Sequence, residues 1–125
     1  MDLKQYQIVL VNLEPTIGSE MKKTRPCVIL SPNEMNKYLQ TIVIAPLTTN
    51  SKNYPTRIKT NLQNTVGWLA IDQIRTIDRH RIIKILGSLT EAEIKKTKEL
   101  KKFIVEKTII KTIFIKDKLI NLILK

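Results

Sequence analysis

Arg25 is the residue on which most of the chemistry in this chain can be built. It follows a polar loop, Glu14-Pro15-Thr16-Ile17-Gly18-Ser19-Glu20, and a basic stretch, Lys22-Lys23-Thr24. An apolar run, Cys27-Val28-Ile29-Leu30, begins right after Pro26. A guanidinium at the start of a strand is a permanent charge at the mouth of a rigid sheet, and its planar fork matches two phosphate oxygens. Gly18 and Ser19 offer backbone N–H donors from a loop able to fold over whatever the arginine grips. Two further polar sets stand where strands meet loops, Thr48-Thr49 and Asp72-Gln73-Ile74-Arg75. In a small barrel, strand ends distant in sequence converge on one rim, where function tends to sit. An arginine, a hydroxyl and a carboxylate with an amide beside it would then face one phosphodiester.

The elements that must position these groups are mostly strands. Gln7 to Leu13 is a nearly continuous apolar run, the pattern of a strand buried on both faces. Pro26 to Ser31 is the second strand, closed by the turn residues Ser31-Pro32-Asn33. Thr41 to Leu47 is a third, rich in β-branched residues, and Pro46 implies an edge or a bulge because proline donates no ladder hydrogen bond. Thr48 to Asn53 reads as polar loop. Thr56 to Lys59, Gly67 to Ile71, Ile74 to Ile77 and Arg81 to Leu86 complete the strands. The period then changes. Thr90 and Glu93 fit a capping box, and Ile94, Thr97, Leu100, Phe103 and Ile104 fall on one helical face, with Lys95, Lys96, Lys98, Lys101 and Lys102 pointing elsewhere. The tail from Ile109 to Lys125 mixes both periods, and Leu119, Ile120, Ile123 and Leu124 suggest a short amphipathic helix. Many short strands ahead of one helix predict a mainly β fold: a small, strongly bent sheet or barrel with a C-terminal helix beside it. The 125 residues, 1–125, make one domain with a single core. There is no internal repeat.

Charge narrows the partners. Lys and Arg number 22 against 11 Asp and Glu, a formal net charge of +11 that favours a polyanionic partner, nucleic acid first. The single cysteine, Cys27, allows no intramolecular disulfide and reads as a small buried hydrophobe. No Cys/His spacing suits a metal, so no cofactor is expected. The lone histidine, His80, lies in Asp78-Arg79-His80-Arg81 and reads as a surface residue. The N-terminus lacks a signal-peptide pattern and no apolar run reaches bilayer length, so the expected location is cytoplasmic, with no membrane partner.

Taken in order, Glu14 to Glu20, Arg25-Pro26, Ser31-Pro32-Asn33, Ala45-Pro46-Leu47-Thr48-Thr49 and Asp72-Gln73-Ile74-Arg75-Thr76 resemble the MazF/PemK endoribonuclease toxins. Each motif alone is weak, but five in register over about residues 6 to 105 are specific. The resemblance implies an SH3-like small barrel of the MazF/PemK/CcdB type and a homodimer. It implies sequence-specific, metal-independent cleavage of single-stranded RNA and inhibition by a cognate acidic antitoxin. It also implies that Arg25 and Thr48 are the catalytic pair and that Asp72 and Gln73 help shape the RNA groove. The chain departs from the pattern in three places. Tyr6-Gln7 stands where many members have glycine and an acidic residue. Ala70 stands where one branch carries a second cation, so that branch's mechanism does not transfer. Residues 109–125 extend beyond many relatives, with no family role.

Those residue types suit the reaction. Metal-free RNA cleavage uses the substrate's own 2′-hydroxyl and leaves 2′,3′-cyclic phosphate and 5′-hydroxyl ends; because attacker and phosphorus are tethered, the enzyme supplies orientation and charge. Arg25 would donate two parallel hydrogen bonds to the non-bridging oxygens, and Thr48 one more. A guanidinium with a pKa above about 12 is a poor general base, so the base stays unassigned, with water or Glu20 open to the role. Reading RNA requires splayed bases bonded at their edges. Asn33, Asn36, Thr49 and Gln73 are the candidate readers, with the Ser19 loop beside them and Gly18, Glu20, Asp72 and Arg75 completing the RNA-contact set. Some of these residues have plainer uses. Asp72 could cap a turn or pair with Arg75. Trp68 could stack on a base or fill a core or interface. The lysines from Lys95 to Lys111 could be a solvated face or attract RNA. Two other functions stay open: a non-enzymatic toxin that poisons a DNA topoisomerase on the same barrel, and an RNA-binding module that does not cut.

Overall fold

The computed structural model describes residues 2–13, 24–49 and 57–102. Among these residues seven strands run β1 (Gln7–Asn12), β2 (Thr24–Ile29), β3 (Thr41–Thr48), β4 (Arg57–Leu62), β5 (Thr65–Ala70), β6 (Arg75–Asp78) and β7 (Ile82–Ser88). A short helix, α1 (Asn33–Tyr38), joins β2 to β3, and a second, α2, occupies 91–102. The strands hydrogen-bond in the order β4-β5-β3-β2-β1-β7, with β6 also on β3, and every pairing is antiparallel. The expected mainly β fold with a C-terminal helix is present, its bent antiparallel sheet forming a half-barrel.

Away from their ends the central strands are apolar because both faces are covered. On β1, Val9 and Val11 enter one cluster with Cys27, Ile29, Ile42, Ile44, Ile77 and Ile82. Ile8 enters the other with Val28, Leu30, Ala45, Leu47, Ile58, Leu69 and Ile71. Period-2 alternation therefore hides inside continuous hydrophobic runs. Bending comes from identifiable places. The β1–β7 ladder shifts register between Ile8 and Val9 and again between Leu10 and Val11, and such bulges kink a strand.

Pro46 is where the fold departs from expectation. It sits on a central strand, opposite Cys27 of β2, not on an edge. On its other side β3 changes partner, from β6 at Ile44↔Arg75 to β5 at Leu47↔Leu69. A residue without an N–H is tolerated at that changeover, where the ladder is already interrupted. The same change of partner folds the sheet over at the end where Thr48 stands.

Three local features escaped the sequence reading. Gln63 and Asn64 both have positive φ, 48° and 64°, between the paired residues Leu62 and Thr65. This is a two-residue hairpin of the primed type, built without the usual glycine. Tyr6, also at positive φ (70°), makes the entry turn into β1, where a side chain is strained and glycine is the default. Helix α1 is the third. Its Asn36 is fully buried; the amide nitrogen donates to the Ser31 carbonyl at 2.9 Å, and its Oδ1 accepts from the Ser31 hydroxyl. The Val43 N–H donates to that hydroxyl oxygen at 3.2 Å, tying α1 to β3.

The capping box forms: the Thr90 N–H donates to Glu93 Oε1 at 2.8 Å and the Glu93 N–H to Thr90 Oγ1 at 3.2 Å. Glu93 Oε2 also accepts from the Asn61 N–H at 3.1 Å, fixing α2 to the edge of β4. Ile94 and Leu100 pack on the second cluster, and Thr97 is buried with its hydroxyl on the Glu93 carbonyl. Phe103, Ile104 and the tail 109–125 lie outside the described residues. Lys101, expected on the outer face, turns inward to donate to the Leu30 carbonyl at 3.4 Å.

Candidate active site

Arg25 and Thr48 belong to neighbouring strands whose ladder runs Ile29↔Ile44, Val28↔Ala45, Cys27↔Pro46. One pleat further, the same register sets Arg25 against Thr48. Alternation places Arg25 with Cys27 and Ile29, and Thr48 with Ile44 and Pro46, on the same face of the sheet. The strands remain neighbours there, since Pro26, Thr48 and Thr49 line one small pocket of about 80 Å³ with Leu47, Leu62, Thr65 and Gly67. Arg25 is exposed and Thr48 half-buried. The two expected catalytic side chains thus share a face at one end of the β2–β3 pair.

Arg75 joins them. It pairs with Ile44 at the start of β6, which puts its side chain on the face of Ile44 and Cys27. The Cys27 thiol reports both cations. Burial pushes it up to about 12, against the opposing pull of the Arg25 and Arg75 charges. A neutral, buried thiol beneath two guanidinium groups is no nucleophile. The chemistry of this face is instead that of two fixed positive charges and a hydroxyl, an anion site.

Asp72 and Gln73 lie in a 3-10 turn, Ile71–Gln73, between β5 and β6. Both are exposed, and Asp72 is engaged within the protein. Arg57, a residue the sequence did not single out, forks onto it with Nε–Oδ1 at 2.8 Å and Nη2–Oδ2 at 3.2 Å. Arg57 stands opposite Ala70 on the β4–β5 ladder, two residues before Asp72. The carboxylate therefore pairs with Arg57, not with Arg75, and the pair fixes the turn that leads into Gln73 and Arg75.

The other expected contact residues divide. Thr49 is exposed at the pocket beside Thr48. Asn33 and Asn36 are not there. They follow the far end of β2, and the four steps from Arg25 to Ile29 alone span about 13 Å. Asn33 Oδ1 accepts from the Gln5 N–H at 2.8 Å. Asn36, 0% exposed and bonded to Ser31, has no surface with which to read a base, which corrects its assignment as a reader. Gly18, Ser19 and Glu20 lie outside the described residues. His80 is exposed, with Nδ1 2.8 Å from Asp78 Oδ1. The N–H groups of His80 hold the Asp78 carboxyl below its usual range. Among the described residues no group of three or more His, Cys, Asp or Glu is placed to hold a metal, and no helix is long and apolar enough to cross a membrane.

Comparison with known proteins identifies the family and the fold. The family model of PemK-like, MazF-like toxins of type II toxin–antitoxin systems matches residues 4–103. The endoribonuclease MazF of Staphylococcus saprophyticus is 30% identical over 99 residues, covering 74% of this chain and 82% of that protein. In fold, the chain is similar to MazF in the MazE–MazF crystal structure from Deinococcus radiodurans (TM-score 0.73, 21% identity, 85% of this chain and 97% of that one). It is also similar to a mycobacterial endoribonuclease in complex with its cognate antitoxin (TM-score 0.70, 22% identity, 83% and 95%). With four-fifths of its length matched by the family model, the chain belongs to the PemK-like, MazF-like toxins of type II toxin–antitoxin systems.

Proposed function

We propose that this toxin is an endoribonuclease that cuts single-stranded RNA by transesterification from the 2′-hydroxyl, with Arg25 and Thr48 at the scissile phosphate. The observation that carries this reading is the shared face of Arg25 and Thr48, one pleat beyond Cys27↔Pro46, in a chain whose curated relative is an endoribonuclease. The negative charge of the five-coordinate transition state gathers on the non-bridging oxygens. Arg25 meets it with two parallel N–H donors whose charge does not vary with pH, and Thr48 adds a hydroxyl from a strand end paired with β5. Arg75, on the same face, adds to the positive field that draws a phosphate chain in. Gln73, at the end of the braced turn, and Thr49 are placed to meet bases.

Incubation with a long mixed-sequence RNA plus a chelator tests this directly. Discrete fragments ending in 2′,3′-cyclic phosphate are expected. Intact RNA bound tightly to folded protein would instead favour a non-cleaving binder. Toxicity that survives loss of both Arg25 and Thr48 would favour topoisomerase poisoning. The family resemblance supports a homodimer and an acidic antitoxin laid over the Arg25 face; a mycobacterial endoribonuclease of similar fold is solved in complex with its cognate antitoxin. A species of twice the protomer mass by sedimentation at micromolar protein, and weakening of the antitoxin complex by salt, are the matching expectations.

A further inference from the structure

We propose that Trp68 is a stacking platform for the base next to the cleaved bond, with Lys59 gripping the adjoining phosphate. The inference rests on the endoribonuclease reading and extends it to the strands beyond the catalytic pair. Across the sheet Thr48 of β3 stands opposite Trp68 of β5, and Trp68 opposite Lys59 of β4. Directly opposed residues share a face, with Cβ atoms about 4.5–5.5 Å apart. Continued to β2, the row reads Arg25, Thr48, Trp68, Lys59. A strand of RNA held by the first two therefore meets an indole next and an ammonium after it.

The surroundings of Trp68 argue against a core role. Its neighbours Gly67 and Leu69 are buried, and Leu69 is in the second cluster; Trp68 itself is half-buried and belongs to neither cluster. Helix α2 covers the opposite face of this sheet, through Ile94 and Leu100. On the Trp68 side, Val66 is 44% exposed and Lys59 and Asn61 are exposed. A core tryptophan ordinarily finds an acceptor for its N–H, and none is present for the Trp68 indole among the described residues. Arg57, on the same face as Lys59, is already committed to Asp72. Lys59 makes no ion pair among the described residues, so its charge is free for a ligand. An aromatic face between a hydroxyl and a cation is the usual platform for single-stranded nucleic acid, tolerant of sequence because every base presents a π-face.

Trp68 is the only tryptophan, so its fluorescence reads the site alone. The probe is a fully 2′-O-methylated, mixed-sequence single strand, which lacks the attacking hydroxyl. Its binding should quench and saturate the emission. Trp68→Ala should weaken binding about 5- to 150-fold, the range for one stacked base, and Trp68→Phe should restore most of it. Lys59→Gln should lower the salt slope by about 0.7. Unchanged emission in wild-type protein with the strand bound would overturn the platform. So would Trp68→Ala turning a dimer into monomers while each monomer keeps its RNA affinity, which would place the indole between subunits. Quenching without cleavage of unmodified RNA would keep the platform and remove the nuclease. A wild-type protein that binds no RNA would remove both.

Discussion

Asn36 offers the sharpest separation of a structural role from a reading role. Replacing it with alanine removes two side-chain hydrogen bonds, Nδ2 to the Ser31 carbonyl at 2.9 Å and the Ser31 hydroxyl to Oδ1. Each is worth about 1 kcal/mol net, and stranding the buried Ser31 carbonyl adds about 1–3 kcal/mol. The Val43 N–H still reaches the Ser31 hydroxyl oxygen, so the loop is weakened and not released. The expected loss is about 3 kcal/mol, which for a domain of this size lowers Tm by about 10 °C. Circular dichroism melts of wild type and Asn36→Ala at one protein concentration measure it. Ser31→Ala should cost a similar amount, and the double variant less than the sum, because the two side chains share their bonds. At a temperature where the variant is folded, RNA fragments should end at the same positions as in wild type. A loss under about 0.5 kcal/mol with a changed cut site would refute the reasoning and return Asn36 to the RNA.

The Arg57–Asp72 fork braces the turn before Gln73, so Asp72→Asn should cost about 1 kcal/mol by urea titration and slow RNA cleavage; full activity would detach the turn from the site. Gln63→Asn with Asn64→Gly supplies the dipeptide that a primed turn prefers. It should raise Tm by a few degrees (about 0.5–1 kcal/mol), whereas a fall would mean that those side chains make stabilising contacts. Cys27 is neutral in the fold up to about 12, while in the unfolded chain it ionises near the ordinary 9.0. Its contribution to stability is therefore complete below pH 9 and lost as pH rises from there toward 12. Thiol reagents at pH 8 should label it only on unfolding, and rapid labelling of native protein would show the thiol to be accessible.

Strong local signals made much of this molecule legible. The capping box at Thr90 and Glu93 formed because both partners lie within one helical turn and need nothing from the rest of the chain. The strands that follow Arg25 and precede Thr48 were visible in their β-branched runs, and their shared face follows from a ladder register that one sequence does not reveal. Pro46 misled because a proline is read against one ladder, whereas this one stands where β3 exchanges β6 for β5. The Gln63-Asn64 hairpin lacked its glycine signal. Asn36 looked like a surface amide because its burial depends on Ser31 and β3, which no local pattern announces. Arg57 went unnoticed for a related reason: its partner, Asp72, is fifteen residues away and comes into reach only through the β4–β5 pairing.

The account depends most on a guanidinium at the scissile phosphate. Single-turnover cleavage of a mapped RNA, with chelator present, by wild type, Arg25→Ala and Thr48→Ala tests it most directly, with melts to certify folding. Arg25→Ala should melt as wild type does and lose at least about 10²–10³ in rate, and Thr48→Ala should lose a comparable factor. A folded Arg25→Ala protein that cuts the same bond at the wild-type rate would contradict the central claim.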